Sequence, residues 1–308
     1  MNLKGKDFLS LLDFDRETLS YLLDIAAKLK QENKIGQTHH ILKNKTLAMI
    51  FAKPSLRTRV SFEVGIQQLG GNAVVLKQDE INLGIRETIA DTARVLSRYV
   101  DGVMIRTFAQ EDVVEFAKYA DVPVINALTD LSHPCQVMAD LLTIKEHFGS
   151  FENLKLAYVG DGNNMAHSLM AGCSIMGMDV SIGCPNGYEP DEKYLARCKE
   201  IAQKSGSKIQ ITPNQIDAVK NANVIYTDVW ASMGQEDEAE ARRKIFKPYQ
   251  VNKELLMNAA DSVIILHCLP AHRGEEITEE VLEKHASIIF EQAENRLHAQ
   301  KAIMASIM

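Results

Sequence analysis

Short apolar runs alternate with helical patterns along almost the whole chain, and that alternation restricts its fold more than any other feature. Runs at 46–52, 73–76, 102–105 and 122–127 read as the strands of a first half. Runs at 156–159, 179–183, 209–211, 224–226 and 263–266 read as those of a second. The run at 46–52 has the near-continuous apolar character of a parallel strand covered on both faces. Between the runs lie helical stretches. Leu19, Leu22, Leu23, Ala26 and Leu29 line one helix face that Asp13 or Asp15 could cap. Further helices are expected at 87–97, 112–120 and 134–147, and one last helix from about 291. A repeated β-α order predicts open parallel sheets with right-handed crossovers. The fold class expected is therefore α/β, with two doubly wound parallel-sheet domains joined by helices. Gly149-Ser150 marks the break, so the domains run 1–148, with a C-terminal helix 291–308 packing back on the first, and 149–290.

Composition narrows the class of function. At 308 residues, with 46% hydrophobic and 24% charged residues, the chain has the make-up of an ordinary globular protein of about two domains. Its net charge of −7 argues against nucleic acid or an anionic membrane as partner, and makes clustered arginines more telling. No run approaches a membrane span. Asp7, Asp13, Asp15 and Glu17 near the start, with no apolar core beside them, fit neither a signal nor a transit peptide. Five cysteines, Cys135, Cys173, Cys184, Cys198 and Cys268, include no CxxC pair, which points to a reduced, cytoplasmic setting. No HExxH, EF-hand loop or Cys/His metal spacing occurs, so no metal and no cofactor are expected.

In doubly wound sheets, ligands bind beyond the carboxyl ends of the strands. The turn at 53–59 and five further polar clusters fall there. Lys53-Pro54-Ser55-Leu56-Arg57-Thr58-Arg59 follows the first run and opens a helical pattern through Val60, Phe62, Val64, Ile66 and Leu69. Such a strand-to-helix turn offers free N–H groups, a positive helix end, hydroxyls and fork-shaped guanidinium donors to an anion. A Ser-capped helix start with two solvated arginines fits the same spacing equally well. Arg106 follows the run at 102–105, and His133-Pro134-Cys135-Gln136 lies a few residues beyond 122–127. Gly160-Asp161-Gly162-Asn163-Asn164 starts like a dinucleotide loop, but Met165 stands where GxGxxG needs its third glycine. Asp228 and His267-Cys268-Leu269-Pro270 close the set; neighbours at a strand end point opposite ways, so no Cys–His pair is implied. Arg242-Arg243-Lys244 reads as a solvated helix face.

Ser55-Leu56-Arg57-Thr58-Arg59, His133-Pro134-Cys135-Gln136, Asp228-Val229-Trp230-Ala231-Ser232-Met233-Gly234 and His267-Cys268-Leu269-Pro270 together resemble the aspartate/ornithine carbamoyltransferase family, in order and spacing over the full length. The Ser-Met-Gly loop and the Cys of the last motif resemble the ornithine-using branch. The resemblance implies that Ser55, Arg57, Thr58 and the backbone at Leu56 hold the phosphate of carbamoyl phosphate, aided by Arg106 and Arg296. Arg106, His133 and Thr58 would polarise the carbonyl oxygen, which makes Arg57, Arg106, His133 and Cys268 the catalytic set. Gln136, Cys268 and the carbonyl of Leu269 would meet the carbamoyl group. Asn164, Asp228, Ser232 and Met233 would bind L-ornithine, with Cys268 helping to deprotonate its side-chain amine. Family members are homotrimers, and Asn82 stands where many carry a Gln or His that reaches a neighbouring subunit. Leu56 replaces the family's usual Thr, which leaves only backbone there.

Two other activities compete with this expectation. A carbamoyltransferase for another amine such as putrescine would have no use for Asp228 and Ser232-Met233-Gly234. A nicotinamide-dependent dehydrogenase shares the sheet topology but needs the missing glycine. The intact Arg57, Arg106 and His133 speak against a non-catalytic binding protein.

Overall fold

The computed structural model describes residues 1–231 and 236–308. The chain forms two compact units, one of Met1–Leu142 with Asn295–Met308 and one of Thr143–Glu294. The first is built on four parallel strands, β1 (Thr46–Phe51), β2 (Asn72–Lys77), β3 (Gly102–Arg106) and β4 (Val124–Leu128), in the order β2-β1-β3-β4. β1 and β3 lie centrally, which is why their residues are apolar on both faces. Ala48, Ile50, Val103, Ile105 and Val124 pack one face of the sheet against Ala93, Val113 and Phe116 of the helices Ile89–Leu96 and Gln110–Tyr119. Asp15 caps the helix Arg16–Lys34 by accepting from the Thr18 N–H at 2.8 Å, and Leu19, Leu22, Leu23, Ala26 and Leu29 form its buried stripe. The helix Leu56–Gln68 packs on the last helix, Ala286–Ile307, so closely that a Cβ on Gly65 would come to 3.0 Å from Met304 Cε.

The second unit holds five parallel strands, β5 (Lys155–Val159), β6 (Asp179–Gly183), β7 (Ile209–Thr212), β8 (Val224–Thr227) and β9 (Ile264–His267), in the order β7-β6-β5-β8-β9. Ala157, Val159, Ile225 and Ile265 pack with Val219, Val281, Leu282 and Ile289. The helix Asn164–Met176 is buried from Met165 to its end, as its apolar, small-residue sequence requires.

Strand order decides where ligands can go. β1 has β2 on one side and β3 on the other, so the connections leaving β1 and β3 diverge and open a crevice at their carboxyl ends. The same reversal falls between β5 and β8. Arg106 ends β3 directly opposite Phe51 of β1, and His267 ends β9 opposite Thr227. Both residues were expected just beyond their strands. The last helix starts at Ala286, five residues earlier than apolar spacing suggests. No helix among the described residues is long and apolar enough to cross a membrane.

Phe116 is wholly buried against the first sheet. Phe116→Ala is expected to cost about 3–5 kcal/mol, seen as a lowered thermal midpoint.

Candidate active site

The first crevice gathers cations around one hydroxyl. Ser55 is extended and caps the helix Leu56–Gln68 by accepting from the Thr58 N–H at 3.2 Å. The helix therefore begins, with the positive end of its dipole, a few residues beyond the carboxyl end of β1. Thr58 is fully buried. Its Oγ1 accepts from Arg296 Nη2 at 2.7 Å and from Arg106 Nη1 at 3.4 Å. Only 3% of Arg296 and 4% of Arg106 is exposed. Of the two arginines in the turn, Arg57 is half-buried, whereas Arg59 is exposed and pairs with Glu63 one helical turn on. Ser55 is thus the helix cap that its spacing allows, and of the two arginines only Arg59 lies on the exposed face. Lys53 is also buried but is held by Asp130 and lies 4.2 Å from the Phe108 ring centre.

His133 sits beside this cluster. Burial, followed by the charges of Arg296, Arg106 and Arg57, pushes its imidazole well below the ordinary 6.5. A neutral ring keeps one N–H donor and one acceptor. The turn that carries it is fixed from behind. Ser132 and Thr129 exchange bonds, at 3.1 Å from the Ser132 N–H to Thr129 Oγ1 and 2.9 Å from the Thr129 N–H to the Ser132 carbonyl. Asn126 Nδ2 donates to Ser132 Oγ at 3.2 Å. His133 immediately precedes the helix Pro134–Phe148, whose first turn places Gln136, 1% exposed, with its Nε2 on Asp140 Oδ1 at 2.9 Å. Cys135 donates to the Asn126 carbonyl at 3.3 Å, and burial lifts its thiol to about 12, so it is inert.

In the second unit, Asp228 follows β8 and is 7% exposed. Its Oδ1 accepts from Cys268 Sγ at 2.9 Å and from the Val229 N–H at 2.8 Å. Its Oδ2 accepts from Asn163 Nδ2 at 3.4 Å. Asn163 Oδ1 in turn caps the helix that Asn164 begins, accepting from the Met165 N–H at 2.9 Å. As strand geometry implies, His267 points elsewhere. Its Nδ1 accepts from the Leu269 N–H at 2.8 Å, so Nε2 carries the proton toward Glu276 Oε1 at 3.2 Å. That bond helps hold Leu269 in a left-handed conformation, φ 58°. Ser232 and Met233 lie outside the described residues. Asn82 caps a short helix in a left-handed conformation, φ 45°, away from both clusters in sequence.

Sequence reasoning missed three residues here. Arg242 is 7% exposed, not solvated: it donates to Asp161 Oδ2 at 2.8 Å and to the Trp230 carbonyl at 3.2 Å. Asp161 and Asn163 were noted only as parts of a failed dinucleotide loop. Gly162 supplied a usable signal, because no side chain fits there: a Cβ would lie 2.4 Å from the Pro190 nitrogen. Among the described residues, His272, Glu275 and Glu276 place ligand atoms within 4.8 Å of one another. Arg243 engages Glu275, and His267 with the His272 N–H engages Glu276, so those carboxylates are already occupied.

Comparison with known proteins gives concordant results. Residues 6–146 match the carbamoyl-P binding domain of aspartate/ornithine carbamoyltransferase, and residues 152–307 its Asp/Orn binding domain. The chain is similar to the ornithine carbamoyltransferase of Thermococcus kodakarensis, 57% identical over 308 residues, covering all of this chain and 98% of the other. It is 54% identical to the anabolic ornithine carbamoyltransferase of Pyrococcus furiosus, again over 100% and 98% of the two chains. A solved ornithine carbamoyltransferase from Pyrococcus furiosus superposes with a TM-score of 0.97 at 54% identity, over 100% of this chain and 98% of that one. One from Gloeobacter violaceus superposes with a TM-score of 0.89 at 49% identity, over the whole of both chains.

The neutral state of His133 has a consequence for acid stability. Below 6.5 the unfolded chain takes up a proton on this residue that the folded chain refuses, so stability falls as pH falls through that value. Relative to wild type, His133→Asn is expected to lose about 1 kcal/mol less stability between pH 7.5 and 5.5, measured by urea unfolding at each pH.

Proposed function

The chain belongs to the aspartate/ornithine carbamoyltransferase family, and on that premise we propose how its residues divide the work. It is an ornithine carbamoyltransferase: it moves the carbamoyl group of carbamoyl phosphate to the side-chain amine of L-ornithine, giving L-citrulline and phosphate. The observation that carries the division of roles is the pair of buried guanidiniums meeting on Thr58 at a helix N-terminus, with a neutral His133 beside them. Ser55, the Leu56 backbone, Arg57, Thr58, Arg106 and Arg296 hold the phosphate. Each charge-assisted bond is worth about 1.5–3 kcal/mol, so three or four suffice for a dianion.

As the amine attacks, negative charge builds on the carbonyl oxygen. Arg106, His133 and Thr58 receive it, and each can donate one hydrogen bond there without itself losing a proton. Gln136 and the Leu269 carbonyl accept from the carbamoyl NH₂. Proton balance requires the ornithine side chain to arrive as a free amine or to lose a proton. Its ordinary value is about 10.4, so only about one molecule in a thousand is ready at neutral pH. Cys268, joined to Asp228 at 2.9 Å, contacts that amine and takes part in its deprotonation, accepting the amine's proton as its own passes to Asp228. Asn164 and Asp228, with Ser232 and Met233, hold the α-amino acid group. Direct transfer needs no acyl-enzyme, and the Cys268 thiol donating to a carboxylate supports a proton role over a nucleophilic one. Assembly as a homotrimer, with Asn82 reaching a neighbouring copy, and a cytoplasmic setting in arginine biosynthesis complete this reading.

Incubation with carbamoyl phosphate and L-ornithine should give citrulline, with putrescine and aspartate as poor competitors; preference for either competitor would overturn the assignment. Arg106→Ala should lower kcat by ~100–1000-fold. Cys268→Ser should displace the acid limb of the rate–pH profile toward higher pH, and an unchanged profile would remove Cys268 from proton transfer.

A further inference from the structure

Gln136 is expected to read the carbamoyl NH₂, but an amide can present either of its ends. Which end faces a ligand depends on what holds the other. In this fold Gln136 Nε2 donates to Asp140 Oδ1 at 2.9 Å. Asp140 lies one turn further along the same helix and is wholly buried, as is Gln136 to within 1%. Asp140 Oδ1 is the acceptor in this contact, so it claims the NH₂ end of the amide and leaves the carbonyl end to face away. Gln136 Oε1 is buried and accepts no hydrogen bond among the described residues. A buried carbonyl oxygen left in that condition costs about 1–3 kcal/mol until a donor arrives. The turn bearing Gln136 is itself tied to the anion cluster, because its N–H donates to the His133 carbonyl at 3.2 Å.

We propose that Asp140 is the positioning residue that sets the polarity of the Gln136 amide, and through it makes the site prefer carbamoyl phosphate to acyl phosphates that lack an NH₂ group. The inference rests on the carbamoyl phosphate reading above. Phosphate recognition and NH₂ recognition are carried by different groups: the guanidinium and hydroxyl cradle reads the dianion, and the Asp140–Gln136 pair reads the nitrogen. Acetyl phosphate matches the shape and charge of the true donor but offers a methyl group to Gln136 Oε1, leaving that oxygen unsatisfied. With Asn at position 140 the neighbouring group can donate as well as accept, so the Gln136 amide is free to turn its NH₂ end outward. The donor's NH₂ group then meets another donor.

The test compares wild type with Asp140→Asn in three measurements: KM for carbamoyl phosphate, and the inhibition constants of acetyl phosphate and of inorganic phosphate against it. The ratio of the acetyl phosphate constant to the carbamoyl phosphate KM should fall at least tenfold in the variant, through a weaker carbamoyl phosphate, while the inorganic phosphate constant stays within twofold. A purely structural role would weaken all three together, and that result, or an unchanged ratio, overturns the proposal. Should Asp140→Asn fail to fold, Asp140→Ser, whose hydroxyl still accepts weakly, must lower the same ratio at least threefold or the proposal fails. Wild type that forms no citrulline would instead refute the functional reading, so the two failures are distinct.

Discussion

Arg106 and Arg296 donate to one Thr58 oxygen with almost no exposure to water, and this concentration of positive charge governs the first domain. Two guanidiniums sharing one acceptor away from water repel each other more than they would in solvent. The dianionic ligand proposed for this cluster would offset that repulsion. His133 registers the same field from the other side: burial and three arginine charges strip its proton. In the role proposed for it, His133 is thereby lost as a general acid but gained as a hydrogen-bond donor that keeps its charge unchanged. For an acyl phosphate, whose phosphate already leaves as a good anion, the second is worth more.

Placing such a cluster requires a rigid frame, and the strand order provides it. In each domain the sheet grows outward from a central strand in both directions, so two neighbouring strands send their connections apart. β1 and β3 are largely apolar, buried and paired with each other, which fixes their last residues, Phe51 and Arg106, opposite one another. Thr58 and Arg106 meet for that reason, although 48 residues separate them. In the second domain β5 and β8 repeat the device with different chemistry, presenting Asn163 and Asp228 in place of arginines. One topological rule thus gathers guanidiniums in one domain and an amide with a carboxylate in the other.

Much of this was legible in the chain itself. Apolar runs marked the strands because buried parallel strands admit little else, and their carboxyl ends then pointed to Ser55, Arg106, His133, Asp228 and Cys268. What escaped reading were pairings that no local pattern encodes. Arg242 carries the spacing of a solvated helix face, yet it reaches Asp161, 81 residues away, in a buried ion pair. The terminal helix looks no more polar than a surface helix, but Asn295 accepts from Lys30 and Lys301 donates to Gln68 inside the first domain. Buried charges of this kind depend on a partner supplied by tertiary structure, and the sequence shows only half of each.

The paired residues His267 and Cys268 show how one strand end can serve two purposes. Successive side chains leave a strand on opposite faces, so the imidazole turns inward to Glu276 and the Leu269 N–H, while the thiol turns toward Asp228. The inward contact holds the backbone at Leu269 in its left-handed form, which aims the carbonyl that is proposed to meet the carbamoyl NH₂. The outward contact sets the chemistry of the thiol. A thiolate at that position would face the Asp228 carboxylate with like charge at 2.9 Å, whereas a thiol hydrogen bond satisfies it. An ammonium group brought to the same place finds a carboxylate ready to take its charge and a sulfur able to accept from it. Cys268 is therefore suited to handling an amine, and that suitability comes from Asp228 rather than from any reactivity of its own.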